Sequence, residues 1–293
     1  MACYYGPKND KIIRDMLVRG TTAFLSDPSY VNIDEYGNKP RVFVGDTHGD
    51  YMAIEKVIEK WPLDKYIHVL LGDYSDRTTE PLGSLINLLY ITSLKLAHPK
   101  DLIVLRGNHE SNDLEWDDKD IGNLVHALQK RFGNVYIDYL GMLEKMFSVM
   151  PYAAVSNNGI IALHGGIPDI ICYDQIADIP KSITKMRQNP IAEQILWSDH
   201  NIYVDSHDEN IRGCGIVYGH DFFTKKMKIL GKNVLLRGHD HSLNGHVDFN
   251  NRILTLITSE TYADRCGRIV AIDNHPDREV KTIKDLDIVD IDR

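Results

Sequence analysis

Asp46 and His48 in VFVGDTHGD, Asp73, Asp76 and Arg77 in VLLGDYSDR, Asn108 and His109 in IVLRGNHE, His164 in IIALHGG, and Arg237, His239 and Asp240 in VLLRGHD each follow an apolar run. Each run reads as a buried strand. Each stops on carboxylates, imidazoles, an amide or a guanidinium, with glycine before or after. Glycine permits tight turns and close approach of backbone to a ligand. A lone Asp or His after a strand is ordinarily a turn former or a cap, but five such endings in one chain call for another account. Carboxylates and imidazoles gathered in one place would repel and desolvate one another at large cost. Divalent cations remove that cost. Asp, His and Asn without Cys point to Mn, Fe, Zn or a similar ion rather than a thiolate zinc site. Three His, two Asp and one Asn suffice for two ions if one carboxylate bridges. Two metals about 3.5–4 Å apart are the usual device for clamping a phosphoryl group during in-line attack by water.

The positioning elements are expected to be strands over 41–46, 67–73, 101–108, 159–166, 233–240, 252–260 and 267–273. They are rich in Val, Ile and Leu rather than alternating, so both faces should be covered. Helical patterns lie between the early strands. Ile54, Val57, Ile58 and Trp61 share one helical face, with Asp50 as the expected N-cap. Pro81 suits a helix start, with an apolar stretch running to about Leu96, and 121–132 and 139–149 also read as helical. The polar stretch 200–212 reads as a loop, DPSYVNIDEYGNKP before the first motif as a loop or hairpin, and the last 60 residues as successive strands. This alternation is that of an α/β protein, in which ligands bind beyond the carboxyl ends of the strands.

Composition narrows the function classes. The 293 residues are 43% hydrophobic and 26% charged, enough for one large domain or two small ones, and the formal net charge is −9. A broadly acidic chain is a poor candidate for wrapping nucleic acid or an anionic membrane. Cys3, Cys172, Cys214 and Cys266 form no CxxC pair, which argues for reduced thiols rather than a disulfide scaffold or structural zinc. The start, MACYYGPKNDKII, lacks the apolar core of a secretory signal. No apolar run approaches the roughly 20 residues needed to span a bilayer. The expectation is a soluble, cytoplasmic protein.

In order and spacing, GDTHG, GDYSDR, GNHE, HGG and RGH resemble the signature of the PPP family of protein serine/threonine phosphatases, within the wider calcineurin-like metallophosphoesterases. ILWSDH (195–200) is similar to that family's LLWSDP, RGCGIVYG (212–219) to its RGxxxxFG, and LTLITSETY (254–262) lies where it has a strand ending in SAPNY. The resemblance runs from about residue 40 to 273. It implies one catalytic domain over 1–293, with 1–40 an extension of unknown role, built as a central β-sandwich of mixed sheets flanked by helices. It implies hydrolysis of phosphoserine and phosphothreonine in proteins by direct attack of a metal-bridging water. Asp46 and His48 would hold the first metal, Asp73 would bridge, and Asn108, His164 and His239 would hold the second. Manganese is the first expectation, with iron or zinc as alternatives. Arg77 and Arg212 would grip the phosphate, with Asn108 beside it and Tyr262 at its border. His109 would protonate the leaving alkoxide, and Asp76 would orient His109 and favour its protonated form. The implied partner is a phosphorylated protein or peptide.

Some positions depart from the family. Ser75 and Thr78 replace the Val and Gly of GDYVDRG. Of SAPNY only the Tyr is kept, and Glu260 brings a carboxylate near the expected phosphate pocket, where it could alter substrate preference. GHD occurs twice, at 219–221 and 238–240; the second follows the cleaner strand and carries Arg237, so His239 is preferred and His220 left as a loop histidine. GHDH (238–241) also resembles the GHxH of other metallophosphoesterases, which would make His241 an extra ligand. Glu110 is expected to fix its loop rather than act in chemistry. His200 and the remaining histidines fit no motif and read as surface or structural. The enzymatic alternatives are a dinucleoside tetraphosphatase and another metallophosphodiesterase. Asp76 and Glu110 speak against the first, whose members typically lack that Asp and carry GNHD. A scaffold with a dead site is the third alternative, and it ordinarily shows missing ligands.

Overall fold

Phe43, Ile67, Val69, Leu71, Ile103 and Leu105 turn one way from their strands, while Val42, Val44, Leu70, Leu102 and Val104 turn the other, and all are buried. That is why these strands read as continuous rather than alternating: a parallel sheet covered on both faces has no polar side. The computed structural model describes residues 10–111, 123–263 and 266–293. In it β2 (Arg41–Val44), β3 (Ile67–Leu70) and β4 (Leu102–Val104) pair in parallel. β13 (Ile269–Asp273) joins β2 antiparallel, and β14 (Asp287–Asp290) forms the edge. A second sheet runs β1 (Tyr30–Asn32), β5 (Ala153–Val155), β6 (Ile160–Leu163), β10 (Val234–Arg237), β12 (Ile253–Thr255) and β11 (Val247–Asp248).

The inner faces of both sheets share one core, in which Phe43, Val69 and Ile103 pack with Ala162, Leu236 and Leu254. The outer face of the first sheet is covered by α1 (Asp10–Leu25), α2 (Tyr51–Lys60), α3 (Gly83–Ala97), α4 (Leu124–Phe132) and α5 (Tyr136–Ser148). The outer face of the second is covered by α6 (Asp174–Ala177), α7 (Pro190–Trp197) and α8 (His220–Leu230). The result is the expected mixed sandwich flanked by helices. Among the described residues no helix is long and apolar enough to cross a membrane.

Asp50 caps α2 as expected, accepting from the Ala53 N–H at 3.0 Å. The strands are shorter than expected, and two of the expected ranges include Asp73 and His239, whose φ of 55° and 73° is a left-handed conformation that a strand cannot continue. The helix expected from Pro81 begins at Gly83. Residues 121 and 122 of the expected third helix lie outside the described residues, as do the first nine residues with Cys3. The stretch 200–212 is not only loop. β8 (His207–Glu209) pairs with β9 (Ile216–Tyr218), and β9 with β7 (Asp199–His200), in a small third sheet. The stretch around 30–36 is not a hairpin: β1 pairs in parallel with distant β5, and 33–36 form a short 3-10 turn. Four helices were not expected from the sequence: α1, α6, α7 and α8. α1 buries Ile13, Leu17, Gly20 and Phe24 on one face, and α8 buries Phe222, Phe223, Met227 and Leu230 before Gly231 ends it in the left-handed conformation.

Candidate dinuclear metal centre

Asp46, Asp73 and Asn108 stand just past three parallel strands of the first sheet, and His164 and His239 just past two of the second. The seam between the sheets brings all five together with His48, and all six are buried. The approach is close. A Cβ at Gly107 would lie 2.2 Å from the Asp73 nitrogen and 2.3 Å from its Oδ1. Gly107→Ala should therefore lower unfolding free energy by ~1–3 kcal/mol and weaken Mn²⁺ binding at least ~10-fold. Denaturant melts and a metal titration check this.

Hydrogen bonds fix which ring nitrogens carry protons. His48 Nδ1 lies 2.9 Å from the Ser75 carbonyl and His164 Nδ1 lies 3.0 Å from the Leu71 carbonyl. Both must donate there, so both Nε2 atoms present lone pairs inward. His48 Nε2 faces Asp46 Oδ2 at 3.9 Å and Asp73 Oδ2 at 3.8 Å. His164 Nε2 lies 3.3 Å from Asp73 Oδ1 and only 2.7 Å from Asn108 Oδ1, which also stands 2.9 Å from His239 Nδ1. A neutral nitrogen acceptor against an oxygen acceptor at 2.7 Å is repulsive unless a cation joins them. Two groups of donors meet the spacing of a metal site, His48–Asp73–His109 and Asp73–His164–His239, with donor atoms within 4.8 Å of one another in each. Asp73 is common to both. Asp46 lies at the margin, and its carboxylate also accepts the His239 backbone N–H at 2.9 Å. The set contains oxygen and neutral nitrogen and no sulfur, so it fits two divalent cations sharing one carboxylate.

The electrostatics say the same. Burial, and then the charge of Asp73, push the Asp46 carboxyl well above its ordinary range. Burial would also raise Asp73, but His164, His109 and His48 outweigh it and hold Asp73 well below. Burial takes His48 down to about 4 and His239 well below its ordinary value, leaving both neutral as ligands must be. His109 goes the other way. Burial would lower it, yet the charge of Asp73, the hydrogen bond and charge of Asp76 and the charge of Glu110 carry it to about 9. Its Nδ1 lies 2.7 Å from Asp76 Oδ2, and its Nε2 faces Asp73 Oδ2 at 3.8 Å. Asp76 is itself held, accepting the Leu124 N–H at 2.7 Å while its own N–H donates to Ser84 Oγ at 2.8 Å.

Glu110 accepts the backbone N–H groups of Asp73 at 2.8 Å, Tyr74 at 3.0 Å and Gly107 at 3.0 Å, and so ties the second and third motifs together. Arg77 is exposed and its charge opposes the rise that burial gives the Tyr262 phenol. Tyr262 stands edge-on to the His48 ring at 5.6 Å and stacks on His241 at 4.4 Å. His241 is exposed and belongs to neither donor group, and His220 is exposed and takes a hydrogen bond from Asn250. Arg212 is also exposed. Its Nε donates to Asp199 Oδ2 at 2.9 Å, which leaves its terminal nitrogens for a ligand.

Asp199 was given no role from sequence. It is buried, and its Oδ1 accepts from Arg237 Nη2 at 2.9 Å and faces His239 Nε2 at 3.8 Å. Its signal in the sequence is a carboxylate just past the apolar run ILW, which closes α7. A cleft of about 830 Å³ opens from His48, with Glu80, Lys130 and Glu260 along it.

Comparison with known proteins agrees with this geometry. The family profile of calcineurin-like phosphoesterases matches residues 39–243. A protein phosphatase 2A catalytic subunit of Dictyostelium discoideum is 29% identical over 246 residues, covering 82% of this chain and 75% of that one. A protein serine/threonine phosphatase from Saccharomyces cerevisiae with similarity to human phosphatase PP5 superposes with a TM-score of 0.78 at 20% identity, over 95% of this chain and 88% of that one. A cold-active protein-tyrosine phosphatase of a psychrophilic Shewanella gives a TM-score of 0.56 at 14% identity, over 85% and 78%.

Proposed function

This chain belongs to the calcineurin-like phosphoesterases, and on that footing we propose that it hydrolyses phosphoserine and phosphothreonine monoesters in proteins. The observation that carries the reading is one buried carboxylate, Asp73, shared by two donor groups, with the charged His109 imidazole 3.8 Å from it. Two divalent cations, held by Asp46, His48 and Asp73 and by Asp73, Asn108, His164 and His239, would polarise the phosphoryl oxygens and activate the attacking water. Manganese suits this donor set, as do iron and zinc.

The chain's own residues do the rest. Arg77 and Arg212 offer guanidinium groups to the equatorial phosphate oxygens, where a planar fork matches the geometry and offsets charge as it builds. His109 directs Nε2 at the departing serine or threonine oxygen and gives up its proton there. Asp76 holds the other ring nitrogen and so keeps that proton in place until it is needed. Asn108 would help to hold the second cation, and Tyr262 closes the border of the pocket. For the substrate class, support comes from Asp76 and Glu110, from ILWSDH and RGCGIVYG, and from the relative named as a protein phosphatase 2A catalytic subunit.

The test compares substrates on one metal-stripped preparation after Mn²⁺ is returned. Preferred turnover of a phosphothreonine peptide is expected. Preference for diadenosine tetraphosphate would overturn the substrate class while keeping the site. No metal-dependent turnover of either would overturn the phosphatase reading and leave the phosphodiesterase and dead-site alternatives.

Glu260 should tune that preference. It is exposed at the cleft, its N–H anchored 3.0 Å from Asp50 Oδ2, and Asp50 is in turn paired with Arg268 at 3.0 Å. Glu260→Lys should lower kcat/KM for a peptide with arginine beside the phosphoresidue and raise it for one with aspartate. Each change should be roughly 2- to 5-fold, because exposed ion pairs are worth only ~0.2–1 kcal/mol.

A further inference from the structure

His200 stands where the similar family motif has proline, and the structure does not leave it on the surface. It is 6% exposed, its Nε2 lies 2.9 Å from Asp248 Oδ2, and its Nδ1 lies 3.1 Å from Arg237 Nη1. A guanidinium can only donate. Nδ1 is therefore the bare nitrogen, and the ring proton sits on Nε2 and is given to Asp248. The same Arg237 donates from Nη2 to Asp199 Oδ1, and Asp199 Oδ2 receives Arg212 Nε and Asn210 Nδ2 at 2.9 and 3.2 Å. One line of hydrogen bonds thus runs from Asp248 through His200, Arg237 and Asp199 to Arg212.

The far end of that line is built to stay put. Asp248 opens a turn in which Phe249, Asn250 and Asn251 all have left-handed φ, of 46°, 60° and 62°. Three such residues in a row are costly, and they persist only where the surroundings over-determine them. Here Phe249 is buried against Phe223, Tyr218 and the His200 ring itself. The near end is the opposite case. The Arg212 side chain is 39% exposed and depends on Asp199 for its direction.

We infer that His200 is a positioning residue for the phosphate-gripping arginine: as the acceptor for Arg237 it fixes the Asp199 carboxylate, and through it aims Arg212. This rests on the phosphatase reading for Arg212's role, but not for the geometry. A misdirected guanidinium still carries its charge and loses only its fork, so the loss should fall on phosphate recognition rather than on metal binding.

Two substitutions separate the halves of the ring. An asparagine amide reaches as far as Nδ1, so His200→Asn keeps an acceptor for Arg237 and loses Asp248. A glutamine amide reaches as far as Nε2, so His200→Gln keeps Asp248 and loses the acceptor. The readout is the affinity of the Mn²⁺-loaded protein for inorganic phosphate by calorimetry, beside KM for a phosphothreonine peptide. We expect His200→Gln to weaken phosphate binding roughly tenfold and His200→Asn no more than about threefold, with equal metal content. In an Arg212→Ala background the difference should vanish, since groups on one network are non-additive. Equal affinities in all folded variants, with only the melting temperature changed, would reduce His200 to a packing residue and overturn the inference. So would a full effect that survives without Arg212, or absence of phosphate binding by the unsubstituted protein. Phosphate binding without peptide turnover would instead overturn the substrate assignment and leave the His200 comparison readable.

Discussion

Replacing His109 with alanine should lower turnover of a phosphothreonine peptide by ~10²–10⁴-fold, the range for a positioned proton donor, with bound metal unchanged. The ring reaches the centre only with Nε2, because Nδ1 is engaged 2.7 Å from Asp76. Only the protonated ring can act as an acid, so pH offers a second check. His109 is raised to about 9. A histidine raised in this way contributes stability that is fully present below its ordinary value near 6.5 and is lost as pH rises through about 9. Activity should fall over the same basic limb. Asp76→Asn removes a charge that favours the imidazolium, so that limb should move to lower pH while the metal stays. The same geometry places His109 in a donor group with His48 and Asp73. If His109→Ala lowered bound metal instead, the residue would be a ligand and the acid role would be wrong.

Removing the shared carboxylate should cost more. Asp73→Asn keeps the side-chain shape but not the charge that both donor groups share. Metal analysis should find the occupancy of both sites reduced. Turnover should fall by at least ~10³-fold, since cations of this kind supply several kcal/mol of transition-state stabilisation and each 1.36 kcal/mol is tenfold. Asp46→Asn gives a contrast of sign. Asp46 is raised well above the ordinary carboxylate range by burial and by Asp73, so the folded chain holds that proton more tightly than the unfolded chain does. The stability this lends is present at low pH and lost as pH rises, and at neutral pH the bare carboxylate costs stability. Without metal, Asp46→Asn should therefore melt higher than the parent. With Mn²⁺ saturating, it should melt lower, having lost a ligand. Thermal melts in chelator and in Mn²⁺ decide it, and the same sign in both would remove Asp46 from the ligand set.

Much of this was legible along the chain because the chemistry is attached to local patterns. Strand runs ending in Gly-Asp, Asn-His or His-Gly announce both the sheet and its functional edge, and Asp50 announces a helix start. Two strand ends were set too far along because Asp73 and His239 take left-handed backbone, which no apolar pattern reports. α1 and α8 carry their own 3.6-residue periodicity, but neither follows directly on one of the strand-end motifs. β1 and the third sheet could not be read in that way. They are pairings of two or three residues, too short to show a pattern, and β1 pairs with a strand far along the chain. Asp199 and His200 failed for a related reason. Their stretch is polar, and they are buried by Tyr218, Arg237 and Phe249, which arrive from other elements.

The division of the centre between two sheets has a consequence for the life of the protein in a cell. Asp46, His48 and Asp73 all follow strands of the first sheet, but the second ion's ligands come from both, so a half-folded chain has little hold on that ion. Its binding energy then counts almost wholly toward the assembled state, which gains RT ln(1 + [M]/Kd). Scarcity of metal would then do more than silence the enzyme. It would raise the fraction of open chains presented to proteases, and steady-state abundance would follow the metal supply.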